Sequence, residues 1–484
     1  MLAEKYYRPL VHFTPPFGWL NDPNGLVYKD GEYHLFYQYH PTDSVWGPMH
    51  WGHAVSRDLL SWTHLPIALA PDALGVCFSG TAMVDKGDKS GLFNGNDGLL
   101  AYYTITADNA LFNQSQGLAY SSDNGRHWTK YAGNPVVENP GFEDFRDPKV
   151  FWHEQTQAWI MLTTVGQQIA IYRSADAKTW LFSSFFGEEH GAHDERAWEC
   201  PDLFEISIEG SKKTRWVLIV GVQRGAYSGG SGTQYFVGQF DGEQFINDNT
   251  PDTVLWLDYG RDFYATQTWS DIPAADGRRI GISWMSNWLY ANQVPTQSWR
   301  SAMTMPQELV LKATPDGLRL CHAFIRELEA LCQHQVIAAD KTQATPGAVF
   351  NFDWFEAHRL QFSLELKDNS TLVLQPMNEL EFTFMVQKGQ LTLRCQRHGQ
   401  IGVAEFDGHF PHDFAVALGA NRPLSADLLL DRCSAELLLD GGRYAITNLV
   451  FPKEGPAQQC LASLRAGEVI IRDLHRHGLA KVTA

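Results

Sequence analysis

The stretch Ser56-Arg-Asp-Leu-Leu-Ser-Trp62 returns as Ser122-Asp-Asn-Gly-Arg-His-Trp128 and again as Ser174-Ala-Asp-Ala-Lys-Thr-Trp180. Asp58, Asp123 and Asp176 stand 65 and 53 residues apart. A polar turn recurring at that distance, with short strand-forming runs between its copies, is the pattern of a β-propeller blade, four strands to the unit. The same pattern also fits three unrelated hairpins with similar turns. About 300 residues at this period hold five blades.

The strand-forming runs lie where a repeat of that kind needs them, at Gly31–Tyr39, Leu99–Thr104, Ala158–Thr164, Arg215–Gly221 and Arg279–Met285. Asp22-Pro-Asn-Gly, Asp123-Asn-Gly and Phe240-Asp-Gly mark turns among them. Fifteen of the sixteen tryptophans fall between Trp19 and Trp299, and only Trp354 lies beyond. Residues Cys321–His334 place Phe324, Leu328, Leu331 and Cys332 at helical spacing and predict a helix. From about Gly347 the pattern turns to alternating strands with no helix among them, at Arg359–Leu366, Glu379–Val386, Gln390–Cys395, Ala435–Leu439 and Glu468–Leu474. A sandwich is the simplest arrangement for such a run. The expected organisation is all-β: a propeller over residues 1–315, a helical linker over 316–338 and a C-terminal β-sandwich over 339–484.

Composition narrows the function. The 484 residues are 44% hydrophobic and 19% charged, which suits a packed globular chain. A formal charge of −17 repels nucleic-acid phosphates and argues against a polybasic membrane patch. No apolar run reaches the length of a membrane span. Seven scattered cysteines without a CxxC pair suggest neither a zinc site nor a disulfide framework. With no signal-like apolar segment visible near Met1, a reducing cytoplasm is the expected location, with secretion after trimming of a signal as the alternative.

Three carboxylates stand in unusual settings. Asp22 lies in Trp19-Leu-Asn-Asp-Pro-Asn-Gly25, where good turn chemistry alone would not call for the preceding Trp-Leu-Asn. Asp147 lies in Glu143-Asp-Phe-Arg-Asp-Pro-Lys149 and is kept extended by the following proline. Glu199, in Ala197-Trp-Glu-Cys-Pro-Asp-Leu-Phe204, has Trp, Cys and Pro as neighbours, and inward burial would keep it protonated. The separations are 125 and 52 residues, which puts the acids near the starts of the first, third and fourth blades. Equivalent positions in different blades face one axis, so the three can share a funnel. Paired carboxylates flanking a bond are the minimum for glycoside hydrolysis; structural turn acids are the competing reading.

These segments resemble the acidic signatures of glycoside hydrolase family 32, the β-fructofuranosidases. The likeness extends through Tyr33-His-Leu-Phe-Tyr-Gln38, Met49-His-Trp-Gly-His53, Phe78-Ser-Gly80, Gln234-Tyr-Phe-Val-Gly238, Asp258-Tyr-Gly-Arg-Asp-Phe-Tyr-Ala265 and Trp284-Met-Ser-Asn-Trp288. It covers residues 7 to about 310. The resemblance implies a five-bladed propeller followed by a β-sandwich. It implies Asp22 as nucleophile at the anomeric carbon of a fructosyl unit, Glu199 as general acid and then base, and Asp147 as the acid that holds the fructose hydroxyls. Retention of configuration would follow, with Asp22 and Glu199 about 5 Å apart.

By the same resemblance Asn21 and Gln38 are hydrogen-bond partners of the nucleophile and the terminal fructose. Ser79 and Arg146 bind hydroxyls, and Trp46, Phe78, Trp284 and Trp288 are candidates for an apolar wall, although tryptophan is more often core. His50 and His53 form no metal-ligand pattern that can be completed, and neither metal nor cofactor is expected. Cys200 has no local base and modulates the acid beside it. His40, Pro48 and Thr81 depart from the family's usual residues and bear on leaving-group preference. The expected activity is exo-acting hydrolysis of sucrose and short fructo-oligosaccharides. A fructosyltransferase, a sucrose-6-phosphate hydrolase and a non-catalytic sugar-binding propeller are the alternatives. For the second unit, sugar binding, covering the propeller and a homodimer contact stay open.

Overall fold

The computed structural model describes residues 6–107, 113–335, 342–353, 356–452 and 459–482. Trp354 and the linker positions 336–338 lie outside these residues. Five sheets, each built on four antiparallel strands, precede two larger ones; four of them use consecutive strands, and in the fifth two short strands intervene between the second and third. Their first strands are Gly18–Lys29, Val76–Asp85, Phe145–His153, Trp198–Ser207 and Tyr264–Thr268. Each of the five lies against the first strand of the next sheet, and the fifth returns to the first, so the ring closes. Five apolar clusters fill the gaps between successive blades. Between the second and third, Met83, Leu100 and Leu118 meet Val150, Met161 and Ala170. A blade is therefore buried on both faces, and its inner strands read as continuous apolar runs rather than alternations. Ala158–Val165 is buried at every residue, whereas the outer strand Leu181–Phe186 is mostly exposed. Short strand Trp299–Arg300 pairs in parallel with Gly18–Lys29 and brings the chain back beside its start.

The recurrent turn joins the third and fourth strands of a blade. Asp58 Oδ1 accepts from Ser56 Oγ at 2.9 Å and from the amides of Leu60 and Ser61 at 2.9 and 2.7 Å. Asp176 repeats this with Ser174, Lys178 and Thr179 at 3.0, 2.9 and 2.7 Å. In the second blade Asp123 takes Ser121 as its partner at 2.9 Å. The true counterpart of Ser56 and Ser174 is thus Ser121 rather than Ser122.

Two expectations are corrected. The helix expected over Cys321–His334 is absent: Gly317–Phe324 is a strand paired with Gln307–Thr314, Arg326–Leu331 is a 3-10 turn and Cys332–Gln335 is a strand. Asp316-Gly317 closes a hairpin, with Gly317 at φ +102°, and completing the fifth blade outweighs the helical spacing of a few apolar residues. The strand-rich C-terminal unit also contains one short helix, Ala404–His409.

That unit is a sandwich of a seven-stranded and a six-stranded sheet around one apolar core, which includes Leu364, Phe382, Leu428 and Leu464. It packs on the propeller. Leu429, Leu438 and Ala445 share a cluster with Met305, Phe324 and Leu328. Buried His12 lies between Asp431 at 2.8 Å and Glu436 at 2.6 Å. Burial opposes a charge on this imidazole, but its hydrogen bonds to the two carboxylates outweigh burial and hold its pKa up at about 10.

Candidate active site

All five first strands break register near their starts. The ladder slips at Leu20/Pro23, Cys77/Gly80, Arg146/Lys149, Glu199/Asp202 and Tyr264/Gln267. A bulge leaves residues unpaired and re-aims their side chains, and it is one of the few places where a sheet accepts proline. The dipeptides Asp22-Pro23, Asp147-Pro148 and Cys200-Pro201 sit in three of these bulges. Asp147 and Cys200 are left-handed, at φ +61° and +50°. The repeated bulge gathers side chains from all five blades at one end of the propeller axis.

They surround a cavity of about 380 Å³. Asp22, Asp147 and Glu199 line it, with Asn21, Gln38, Trp46, Phe78, Ser79, Arg146 and Trp288. A second, far smaller space of about 10 Å³ lies among Asn24, Gly80, Pro148, Pro201 and Gln267 and shares Ser79 and Asp147 with the first. Trp284 does not belong to the lining and is corrected to a core residue. It is fully buried behind Trp288, with ring centroids 4.8 Å apart, and also packs on Trp19.

Asp22 Oδ2 accepts from Ser79 Oγ at 2.7 Å and lies 3.4 Å from Cys200 Sγ, while Oδ1 has no partner in the protein. Burial and the charge of Glu199 push the Asp22 pKa up to about 6, against the hydrogen bonds from Ser79, Asn21 and Cys200. Asp147 Oδ2 accepts the Cys200 amide at 2.9 Å, and the Asp147 amide donates to Thr104 Oγ1 at 2.8 Å. Its carboxyl is raised by burial; Arg146 opposes the shift, and Glu199 and Asp22 add to it. Cys200 Sγ stands between the two aspartates and is itself buried.

Glu199 is placed differently from its expected apolar setting. Successive strand residues face opposite ways, so Trp198 enters the core between the third and fourth blades while Glu199 faces the cavity. Glu199 Oε1 accepts from Arg146 Nε and Nη2 at 3.2 and 3.1 Å, and Oε2 accepts the Tyr264 hydroxyl at 2.7 Å. Arg146 also pairs with Asp144. Ser79, expected to meet sugar hydroxyls, gives its hydroxyl to Asp22. Gln38 is buried and donates to Asn24 Oδ1 at 2.8 Å and to the Cys77 carbonyl at 3.1 Å. Asn21 Oδ1 accepts Trp19 Nε1 at 2.8 Å.

Sequence reasoning missed Gln114, Glu143, Asp144, Glu195, Arg196, Ala197 and Gln223 in the lining, and the partners Tyr264 and Thr104. Glu143, Asp144, Ala197 and Tyr264 stand in the quoted stretches and were within reach; the others carry no local signal. The lining holds six carboxylates against two guanidinium groups. His40, Pro48, Thr81 and the loop Ser228–Gly232 do not line the cavity. His53 stacks on His34 and Phe36 in the first blade, with Nε2 3.0 Å from His34 Nδ1. Among the described residues no group of three or more His, Cys, Asp or Glu side chains is arranged to hold a metal ion.

Comparison with known proteins agrees with this architecture. Residues 12–321 match the model of the glycosyl hydrolases family 32 N-terminal domain. The chain is 43% identical to a levanase of Bacillus subtilis over 508 aligned residues, 99% of this chain and 71% of that protein. Among solved structures it superposes on exo-inulinase from Aspergillus awamori with a TM-score of 0.89 at 30% identity, covering 99% of this chain and 100% of the other. A fructofuranosidase from Schwanniomyces occidentalis complexed with fructose gives 0.84 at 31%, covering 98% and 99%.

Proposed function

This chain belongs to glycosyl hydrolase family 32 and is a glycoside hydrolase, and from that premise we propose a retaining, exo-acting β-fructofuranosidase. It removes the terminal β-D-fructosyl unit from sucrose and short fructo-oligosaccharides by double displacement. The observation that carries this reading is the cavity with Asp22 and Glu199 on its wall and separate donors on each.

In this reading the Asp22 carboxylate attacks C2 of the fructosyl unit while Glu199 protonates the leaving oxygen. Arg146 and Tyr264 then hold the Glu199 carboxylate as it accepts a proton from water, which releases fructose from Asp22. Asp147, anchored by the Cys200 amide, takes fructose hydroxyls. Trp46, Phe78 and Trp288 supply the apolar wall, and Asn21, Gln38 and Ser79 order the nucleophile side. The six carboxylates oppose a phosphorylated sugar, which disfavours sucrose 6-phosphate. The levanase and exo-inulinase names of its relatives support fructans as substrates. We place the propeller and sandwich as two units joined through residues 325–331, between the last strand of the fifth blade and the first strand of the sandwich. The seven free thiols fit a reducing cytoplasm.

The test is sugar release from sucrose, sucrose 6-phosphate, 1-kestose, inulin and levan, beside the Glu199→Ala variant. Free fructose from sucrose and kestose, lost in the variant, is expected. Growing oligosaccharides instead of fructose would make the protein a transferase. No release from any of the five would overturn the reading.

A further inference from the structure

Residues 286–298 connect the second strand of the fifth blade to the closing strand Trp299–Arg300, and they carry Trp288 into the cavity wall. The same segment reaches the other side of the mouth, where Asn292 Oδ1 accepts the backbone amide of Trp46 at 3.0 Å. Both tryptophans therefore depend on it. Little of its hold comes from its own secondary structure, a single 3-10 turn at Ala291–Gln293.

At its start the propeller holds it, where Asn287 donates to the carbonyls of Gly229, Ser231 and Arg261 and the Trp288 amide to Ser231 Oγ at 3.1 Å; from Tyr290 onward the sandwich adds a second hold. Arg397 and Asp262 are both fully buried and paired at 2.5 Å across the two units. Tyr290 joins them, its hydroxyl donating to Asp262 Oδ1 at 2.5 Å and accepting from Arg397 Nη2 at 2.9 Å. The remaining donors of Arg397 go to the carbonyls of Phe410 and Leu449, at 2.8 to 3.0 Å. A buried ion pair costs several kcal/mol of desolvation unless every group is satisfied, and a satisfied network admits one geometry. Tyr290 and Val294 then pack in one apolar cluster with Phe406 and Phe410, on and just after the helix Ala404–His409. Gln293 donates to Glu405 on that helix at 2.9 Å.

We propose that the β-sandwich is a positioning element of the pocket: through Arg397 and the helix Ala404–His409 it holds residues 286–298 and thereby sets where Trp288 and Trp46 stand against a bound sugar. The inference rests on the fructoside reading, because it assigns the two tryptophans to sugar contact. Tyr290 and Arg397 are positioning residues and do not touch substrate.

Two variants test it. Tyr290→Phe removes only the hydroxyl that joins the segment to the ion pair, and Phe406→Ala removes an apolar anchor on the sandwich. Fructose affinity by calorimetry, the KM and kcat for sucrose, the pH profile and the Tm are measured for wild type and both. Loss of wall contacts shared by ground and transition states raises Kd and KM by roughly threefold to tenfold, with kcat within about twofold and an unchanged pH profile. Tyr290→Phe with a wild-type Kd and KM and only a lowered Tm would overturn the inference, whatever becomes of Phe406→Ala. A wild-type protein that binds no fructose and releases none would remove the fructoside reading itself, and the inference with it.

Discussion

Ser79 shows how one residue tunes the chemistry. Its hydroxyl donates at 2.7 Å to the carboxylate whose pKa burial and Glu199 have raised to about 6. That carboxylate must be ionised to attack, so activity falls as pH drops through its pKa. Ser79→Ala withdraws a hydrogen bond to the charged form. The acid limb of kcat/KM then moves to higher pH by about one to two units, as a hydrogen bond to a charged group is worth roughly 1.5–3 kcal/mol. A pH profile of both proteins on sucrose decides it, and an unmoved limb would assign that limb to another group. At this scale the sequence was informative where an acid precedes proline or Cys-Pro, because such dipeptides fit a strand only at a bulge. It was silent on Trp284 and Trp288. They stand four residues apart with the same chemistry, and both pack on Trp19; only their tertiary placement, Trp284 fully buried and Trp288 half-buried at the cavity, separates core from wall.

The blade turns are the elements that repeat most faithfully. Asp58 and Asp176 each cap two backbone amides that no strand satisfies and Asp123 caps one, that of His127, and the tryptophans that follow in the first two blades repeat one further contact. Trp62 Nε1 donates to the Leu59 carbonyl and Trp128 Nε1 to the Gly125 carbonyl, both at 3.1 Å. Asp176→Ala leaves the Lys178 and Thr179 amides without their acceptor and lowers stability by about 1–2 kcal/mol. Chemical denaturation measures the loss, and kcat and KM for sucrose remain those of the wild type because the turn lies at the rim of the third blade. These turns were legible as a period. The hairpin at Gly317 was not, since four apolar residues at helical spacing describe a helix equally well until a partner strand claims their backbone. The bulges were not read either, because a register slip is a property of two strands.

For the whole molecule, the propeller and sandwich were foreseeable from tryptophan distribution and strand patterning. What joins them was not, since His12 meets Asp431 and Glu436 across more than 400 residues of chain. This junction gives stability a direction in pH. The imidazole is protonated in the fold up to about pH 10 and, unfolded, only up to about 6.5. Its contribution is complete below pH 6.5 and declines as pH rises toward 10. Breaking a buried charge pair costs about 3–5 kcal/mol. His12→Ala is therefore less stable than wild type at pH 6, and the gap narrows by pH 10. Thermal unfolding at several pH values checks this, and a constant gap would refute it.

The register slips at the head of every blade separate what the protein is built on from what it works with. Residues inside a bulge contribute no rung to the ladder, so their side chains can be exchanged while the pairing on either side persists. Three such sockets open on the cavity, with Asn21 and Asp22 in the first blade, Phe78 and Ser79 in the second and Asp147 in the third, whereas Cys200 and Ala265 in the bulges of the fourth and fifth pack in an apolar core. The scaffold thus behaves as a tool holder at three of its five heads: new side chains there rewrite what the cavity accepts, and the interblade cores stay as they were.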